Sequence, residues 1–311
     1  MMGNDRLLGV DVGARNGIVP AWRPFLPLMQ VEAIEPDADE CARQRRNGPA
    51  NITWHPRAIA GATGQRTLYI LNTPSGSSLL PPARNNPFQI SDEYWSIREE
   101  REIDCLSFAD FLAGIGDPRP NLIKLDTQGT ELEILRSLAD ASWEHLLCIQ
   151  VEAEFVELYE GQPLFHDIDS LMREKGMRLY YLDQMDDYLG VGADKYYFMR
   201  KYLNAKTRFH SVRNPVLAAD AIYLLDFKDK RVLRNRVTFA KFFTILLIYR
   251  FSNFALWLLH EVKKTNLISD RECEQLAAFA VERAPALRTT EKNTRWGHYL
   301  ERAQKRLRIG T

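Results

Sequence analysis

Cysteine is scarce in this 311-residue chain: Cys41, Cys105, Cys148 and Cys273 stand far apart and never in C-x-x-C spacing. That argues against a disulfide framework and a structural zinc site, and it fits a reducing compartment. Long apolar runs are missing too. In "TFAKFFTILLIYRFSNFALWLLHEVKK", Lys241 and Arg250 leave only Phe242 to Tyr249 uninterrupted. A spanning helix needs about 20 mainly apolar residues, so this segment is not expected to cross a membrane. The opening "MMGNDRLLGV" leaves no room for a charged-then-apolar leader before the first apolar strand, so a cytoplasmic chain is expected. Two nucleotide signatures are also absent. No Walker lysine is placed for a triphosphate, and no G-x-G-x-x-G is present for a nicotinamide dinucleotide.

Net charge is absent as well, with 41 Lys+Arg against 41 Asp+Glu, but the balance hides a split. Residues 1–200 carry 19 basic against 31 acidic side chains, and residues 201–311 carry 22 against 10. The basic part suits an anionic surface, or it neutralises the acidic part across an interface. The run "KDKRVLRNR" (228–236) and the segment after it read as a buried helix pair packed on the preceding domain, with peripheral contact to the inner face of an anionic membrane through 229–262 as the alternative. The tail "TRWGHYLERAQKRLRIGT" reads as a basic terminal helix. Nucleic acid is disfavoured because no recognition motif accompanies the charge.

What is present is strand-and-helix alternation. "LLGVDV" (7–12), "MQVEAIE" (29–35), "ITWH" (52–55), "NLIKLD" (121–126), "LLCIQVE" (146–152), "MRLYYL" (177–182) and "DAIYLL" (220–225) have strand length and apolar enrichment. Helices are expected in "DADECARQRR" and "TELEILRSLA", where Asp37 with Glu40 and Thr130 with Glu133 have capping-box spacing. The pattern predicts a doubly wound, mostly parallel α/β sheet with ligands at the carboxyl ends of its strands.

The first strand runs into Asp11-x-Gly13-x-x-x-Gly17, a turn where backbone lets a ligand come close. Glu35 ends the second strand 24 residues beyond Asp11, where a carboxylate can accept hydrogen bonds from a ribose diol. A nucleoside without phosphates, its amino-acid tail over the glycine turn, fits this pair. S-adenosylmethionine is such a ligand.

"VDVGARNG", "EAIEPD", "NITWHPRAIAGATGQRTLYI", "IKLDTQGTELEILRS" and "VEAEFVELYEGQPLFHDIDSLMREKGMRLYYLD", in this order and spacing, resemble the FkbM family of S-adenosylmethionine-dependent methyltransferases over residues 7–226. The resemblance implies a class I methyltransferase (Rossmann-like) fold, taken as residues 1–228, and methyl transfer to a hydroxyl of a glycan, glycosylated metabolite or other small molecule, while the charge and apolar pattern after it make 229–311 a basic helical accessory region. A binding module that has kept the nucleoside pocket and lost transfer is the alternative. Position by position, it implies that Asp11, Gly13, Asn16 and Gly17 form the cofactor turn, that Glu35 takes the ribose, and that Pro36 and Asp37 border the adenosine. Arg57 and Ala58 fall where the adenine edge is met, and Asp126 falls beside the methyl position. The family's Asp-x-Glu-Gly reads Asp126-Thr127-Gln128-Gly129 here, and Gln128 cannot take a proton, although it can hydrogen-bond an acceptor.

Beyond Asp126, Glu152 and Glu154 share one side of a strand end and are candidates for acceptor hydroxyls or, with Asp126, a metal. His166, after "GQPLF", is the best-placed imidazole for catalysis. Tyr159 and Phe165 read as packing residues near the acceptor cleft, and His55 as a strand residue.

Overall fold

A computed structural model describes residues 5–84, 95–184 and 216–282. The terminal helix expected over 294–311 lies outside the described residues. The chain divides into two compact units, one ending at Asp229 and the other beginning at Lys230.

The first unit is built on a seven-stranded sheet. Its strands are β1 (Leu7–Val12), β2 (Met29–Ile34), β3 (Ile52–His55), β7 (Leu122–Leu125), β8 (Cys148–Glu154), β9 (Met177–Gln184) and β10 (Ala218–Leu225), in the order β3-β2-β1-β7-β8-β10-β9. The five strands from β3 to β8 are parallel, and β10 alone is reversed, antiparallel to both β8 and the edge strand β9. The mostly parallel sheet expected from the alternation is therefore present, in keeping with the Rossmann-like fold that the resemblance implies. Its centre is sealed: every residue of β7 and of β8 is buried. Continuous burial of this kind marks a parallel strand covered on both faces. Strand order reverses between β1 and β7, which places the switch point where the carboxyl ends of β1, β2 and β7 meet.

A second sheet lies between β3 and β7 in sequence, formed by β4 (Ala58–Ala60), β5 (Gly64–Leu71) and β6 (Ile97–Ser107) in the order β4-β6-β5. The apolar-run reading does not find it, because β6, "IREEREIDCLS", is charged and mostly exposed along most of its length.

The expected helices are α1 (Ala38–Asn47) and α3 (Glu131–Arg136), with α2 (Phe108–Gly114) between them and α4 (Asp140–Trp143) and α5 (Phe165–Glu174) following. Neither capping box closes as expected. Asp37 does cap α1, accepting from the N–H groups of Asp39 and Glu40. The N–H of Asp37, however, already donates to Glu35 Oε1 at 3.1 Å, and the Glu40 carboxylate turns instead to the N–H of Asn16 at 3.1 Å. At α3, Glu131 accepts from the N–H groups of Thr127 (2.6 Å) and Gly129 (3.0 Å). That releases Glu133 to pair with Arg66 at 3.3 Å.

In the second unit, α6 (Lys230–Arg234) precedes α7 (Arg236–Ile248), α8 (Ser252–Lys263) and α9 (Asp270–Glu282). Asn235 caps α7 by accepting from Val237 and Thr238 N–H groups, both at 3.0 Å. From Phe242 through Ile248 every side chain is buried, as befits a helix apolar on all sides. No helix among the described residues is long and apolar enough to cross a membrane.

Candidate active site

A cavity of about 770 Å³ opens at the switch point of the large sheet, at the upper end of the range usual for ligand pockets. Its near wall is the turn after β1. Gly13 has φ +81°, and a Cβ there would lie 2.0 Å from the carbonyl oxygen of Asp126, so only glycine lets the two strand ends approach. Asn16 is also left-handed, at φ +67°, and is pinned from below by Glu40. Burial works against ionisation of Glu40, but hydrogen bonds from Gln44, Arg43 and the Asn16 N–H outweigh it and hold its carboxyl below the usual range.

Glu35 stands at the end of β2 with its side chain at the cavity wall, accepting from the N–H of Asp37 and from Arg15 Nη1 at 3.4 Å. Burial pushes its carboxyl up, and the Asp37 N–H and the Arg15 charge offset part of that. Pro36, Asp37, Arg57 and Ala58 also line the cavity.

The floor is a buried polar network. Lys124, on β7, places Nζ 3.1 Å from Asp126 Oδ2 and 3.6 Å from Asp11 Oδ1. Asp11 is fully buried, and its Oδ2 accepts from the N–H of Val19 at 2.9 Å. Burial raises its carboxyl, with Lys124 opposing. For Asp126, burial is outweighed by the Lys124 charge and by hydrogen bonds from Glu152, Gln128 and Lys124, so its carboxyl sits below the usual range. The Gln128 amide donates to Asp126 Oδ1 (2.8 Å) and to Glu152 Oε2 (2.5 Å). Its carbonyl oxygen Oε1 lies 2.7 Å from the Tyr159 hydroxyl, and its main-chain carbonyl accepts from Ser78 Oγ at 2.6 Å. Burial, then the neighbouring charges of Asp126 and Glu154, push the Glu152 carboxyl well above its ordinary value.

The expected site residues separate into groups. Gly13, Asn16, Glu35, Pro36, Asp37, Arg57, Ala58 and Asp126 all line the cavity. Asp11 and Glu152 lie beneath the lining, as supports of the turn and of Gln128 respectively. Gly17 closes the turn, donating its N–H to the Ala14 carbonyl at 3.1 Å. His166 stands apart on the first turn of α5, with its side chain 76% exposed and 3.4 Å from Asp167. Gln128 also lines the cavity; its amide donates to Asp126 and Glu152 and its Oε1 accepts from Tyr159, so what it offers an acceptor is the remaining lone pair of Oε1. Tyr159 is more than packing, because its hydroxyl also reaches the Gly76 carbonyl at 2.9 Å. Phe165 stacks on Phe155 with centroids 4.8 Å apart, and His55 Nε2 lies 2.7 Å from Glu32 within the sheet. Among the described residues, no group of three or more His, Cys, Asp or Glu side chains is arranged to hold a metal ion.

Lys124, Glu40 and Glu131 are the supports that sequence reasoning missed. For Lys124 a signal existed: a lysine in a short, otherwise apolar strand two residues before Asp126 must share its face, and lysine is seldom buried unpaired.

Comparison with known proteins agrees with this geometry. A family model described as Methyltransferase FkbM domain matches residues 11–179. Methyltransferase 1 of Beauveria bassiana (strain ARSEF 2860) is 24% identical over 158 residues, which cover 49% of this chain and 55% of that protein. The chain thus spans about half the length of that curated relative. Among solved structures, Methyltransferase FkbM from Methylobacillus flagellatus KT matches at 19% identity and TM-score 0.34, over 57% of this chain and 40% of the other. The glycopeptide N-methyltransferase MtfA complexed with sinefungin matches at 9% identity and TM-score 0.29, over 70% and 80% of the two chains. With more than half of its residues matched by the family model and a switch-point cavity at the matched turn, this chain belongs to the FkbM methyltransferase family.

Proposed function

We propose that this protein is an S-adenosylmethionine-dependent O-methyltransferase acting on a hydroxyl of a glycan or glycosylated metabolite. The observation that carries the reading is the convergence of Gly13, Glu35 and Asp126 on one cavity at the carboxyl ends of β1, β2 and β7. The residues fit the nucleoside. Both observed contacts of Glu35 fall on Oε1, so Oε2 is the oxygen offered to a ribose diol. The close backbone at Gly13 and the left-handed Asn16 form a shallow seat for an amino-acid tail.

When bound, S-adenosylmethionine supplies a methyl group on a sulfonium that departs as a neutral thioether. The chain's task is to bring an acceptor oxygen into line with it, and proximity of this kind supplies much of the acceleration. Asp126 accepts the hydrogen bond of the acceptor hydroxyl and fixes its direction. The charge of Lys124 and the amide of Gln128 keep Asp126 ionised, so it holds the hydroxyl hydrogen bond and takes the proton as the new C–O bond forms and the C–S bond breaks, passing it on to solvent. Gln128, Tyr159 and Glu152 hold Asp126 in place from behind. In this reading residues 1–228 are the catalytic domain and 229–311 a basic helical accessory region.

Labelled-methyl transfer from S-adenosylmethionine into a cell extract tests the reading. Asp126→Asn should lower transfer by about 10²-fold or more. Its affinity for the demethylated cofactor should stay within about threefold of wild type. An Asp126→Asn protein that transfers at full rate contradicts the assigned role.

A further inference from the structure

The cavity has a second side that the cofactor reading leaves unused. It is contributed by the small sheet and the "TPSGSS" turn, and it carries Arg98 and Arg101 from β6, Leu68 and Ile70 from β5, and Ser75. No carboxylate lines the cavity between Ala58 and Ile103, whereas Glu35, Asp37 and Asp39 line the cofactor side. Arg15 and Arg57 also line the cofactor side, but there carboxylates accompany them and Arg15 pairs with Glu35 and Asp37, whereas the second side presents its arginines to the cavity without a carboxylate.

Arg98 reaches this wall through an irregularity in the ladder. Ile70 pairs with Glu99 and Leu71 with Ile97, so Arg98 is one extra residue on β6 with no partner opposite. In an unbroken strand, residues 97, 99, 101 and 103 would share a face and residue 98 would point away. A bulge re-aims the side chain it carries, and this one brings Arg98 to the cavity beside Arg101. Arg101 is tethered to Glu99 at 2.7 Å, and Arg98 makes no ion pair among the described residues. A guanidinium fork suits a planar or tetrahedral oxyanion.

Resting on the proposed transferase reading, we infer that the acceptor is itself anionic, with a carboxylate or phosphate held by Arg98 and Arg101 while its hydroxyl lies at Asp126. The cofactor has no phosphate, and its own carboxylate belongs with the amino-acid tail at the Asn16 turn, so these two cations are surplus to it. Leu68 and Ile70 beside them offer an apolar surface to the body of the acceptor.

The experiment uses the full chain, labelled S-adenosylmethionine and a cell extract split by anion exchange into neutral and anionic fractions. Label should enter the anionic fraction. Phosphatase treatment beforehand abolishes that labelling if the handle is a phosphate and spares it if it is a carboxylate. The double variant Arg98→Ala, Arg101→Ala should label the anionic fraction at least about tenfold less at limiting acceptor, with affinity for the demethylated cofactor unchanged by calorimetry. Label confined to the neutral fraction overturns the inference and leaves the transferase reading standing. Label in neither fraction counts against the transferase reading and removes this one with it. A double variant that loses cofactor affinity to the same extent as labelling also overturns it, since the arginines would then serve the nucleoside.

Discussion

The ammonium of Lys124 stands 3.6 Å from Oδ1 of Asp11, directly across the pairing of β7 with β1. The same nitrogen lies 3.1 Å from Asp126, so one buried cation compensates two carboxylates at the ends of adjacent strands. Removing it should be severe. Lys124→Met leaves the buried Asp11 and the cavity-lining Asp126 without a counter-ion, at an expected cost of about 3–5 kcal/mol that comes mainly from Asp11. In the variant their folded-state pKa values rise, and a carboxyl raised in this way loses stability as pH rises. Urea unfolding should therefore show a smaller deficit against wild type at pH 5 than at pH 8, and a deficit independent of pH would argue against the pairing.

Glu131 gives a second handle on pH. Burial pushes its carboxyl up to about 7, although the Thr127 and Gly129 N–H groups favour its ionised form. A folded-state value above the unfolded one means that its contribution is fully present below the ordinary glutamate range and is lost as pH rises through about 7. Glu131→Gln also replaces one of the two acceptors, at a cost of roughly 1–3 kcal/mol. Chemical denaturation across pH 4.5 to 8 should show the advantage of wild type shrinking with rising pH, by at most about 1.4 kcal/mol per unit. An advantage that grows instead would assign Glu131 an ionised state throughout.

Gln128 bridges the cavity-lining Asp126 and the buried Glu152. Gln128→Glu restores the acidic residue common in this family, but here it exchanges an amide that donates to Asp126 and Glu152 for a third carboxyl. Glu152 already holds a proton, so a second of the three must then bind one. The variant should be destabilised by roughly 1–3 kcal/mol at pH 8 and by less at pH 5.5. Equal stability at pH 8 would show that the amide donors matter little.

Much of this was legible beforehand. Each of the seven long-sheet strands coincides with an apolar run, and the central β7 and β8, buried along their whole length, could not hide among polar residues. The cofactor-side residues were equally visible, since Gly13 and Glu35 are fixed by local backbone demands at strand ends. The small sheet was not, because exposed β6 carries "REERE" where an apolar pattern would be read. Partner choice was also hidden. Glu40 and Glu133 have the spacing of caps but point to Asn16 and Arg66, contacts set by chain segments 24 and 67 residues away. Tyr159 reaches Gln128 from 31 residues away, and spacing along one chain cannot report such a meeting.

The central claim is that Glu35 and the Gly13 turn hold a nucleoside cofactor, and calorimetric titration of the demethylated product of S-adenosylmethionine tests it most directly. Wild type should bind one equivalent. Glu35→Ala removes charge-assisted hydrogen bonds worth about 1.5–3 kcal/mol each, so its affinity should fall at least tenfold while its unfolding midpoint stays near wild type. A wild-type protein that does not bind, or a Glu35→Ala protein that binds equally well, would contradict the account.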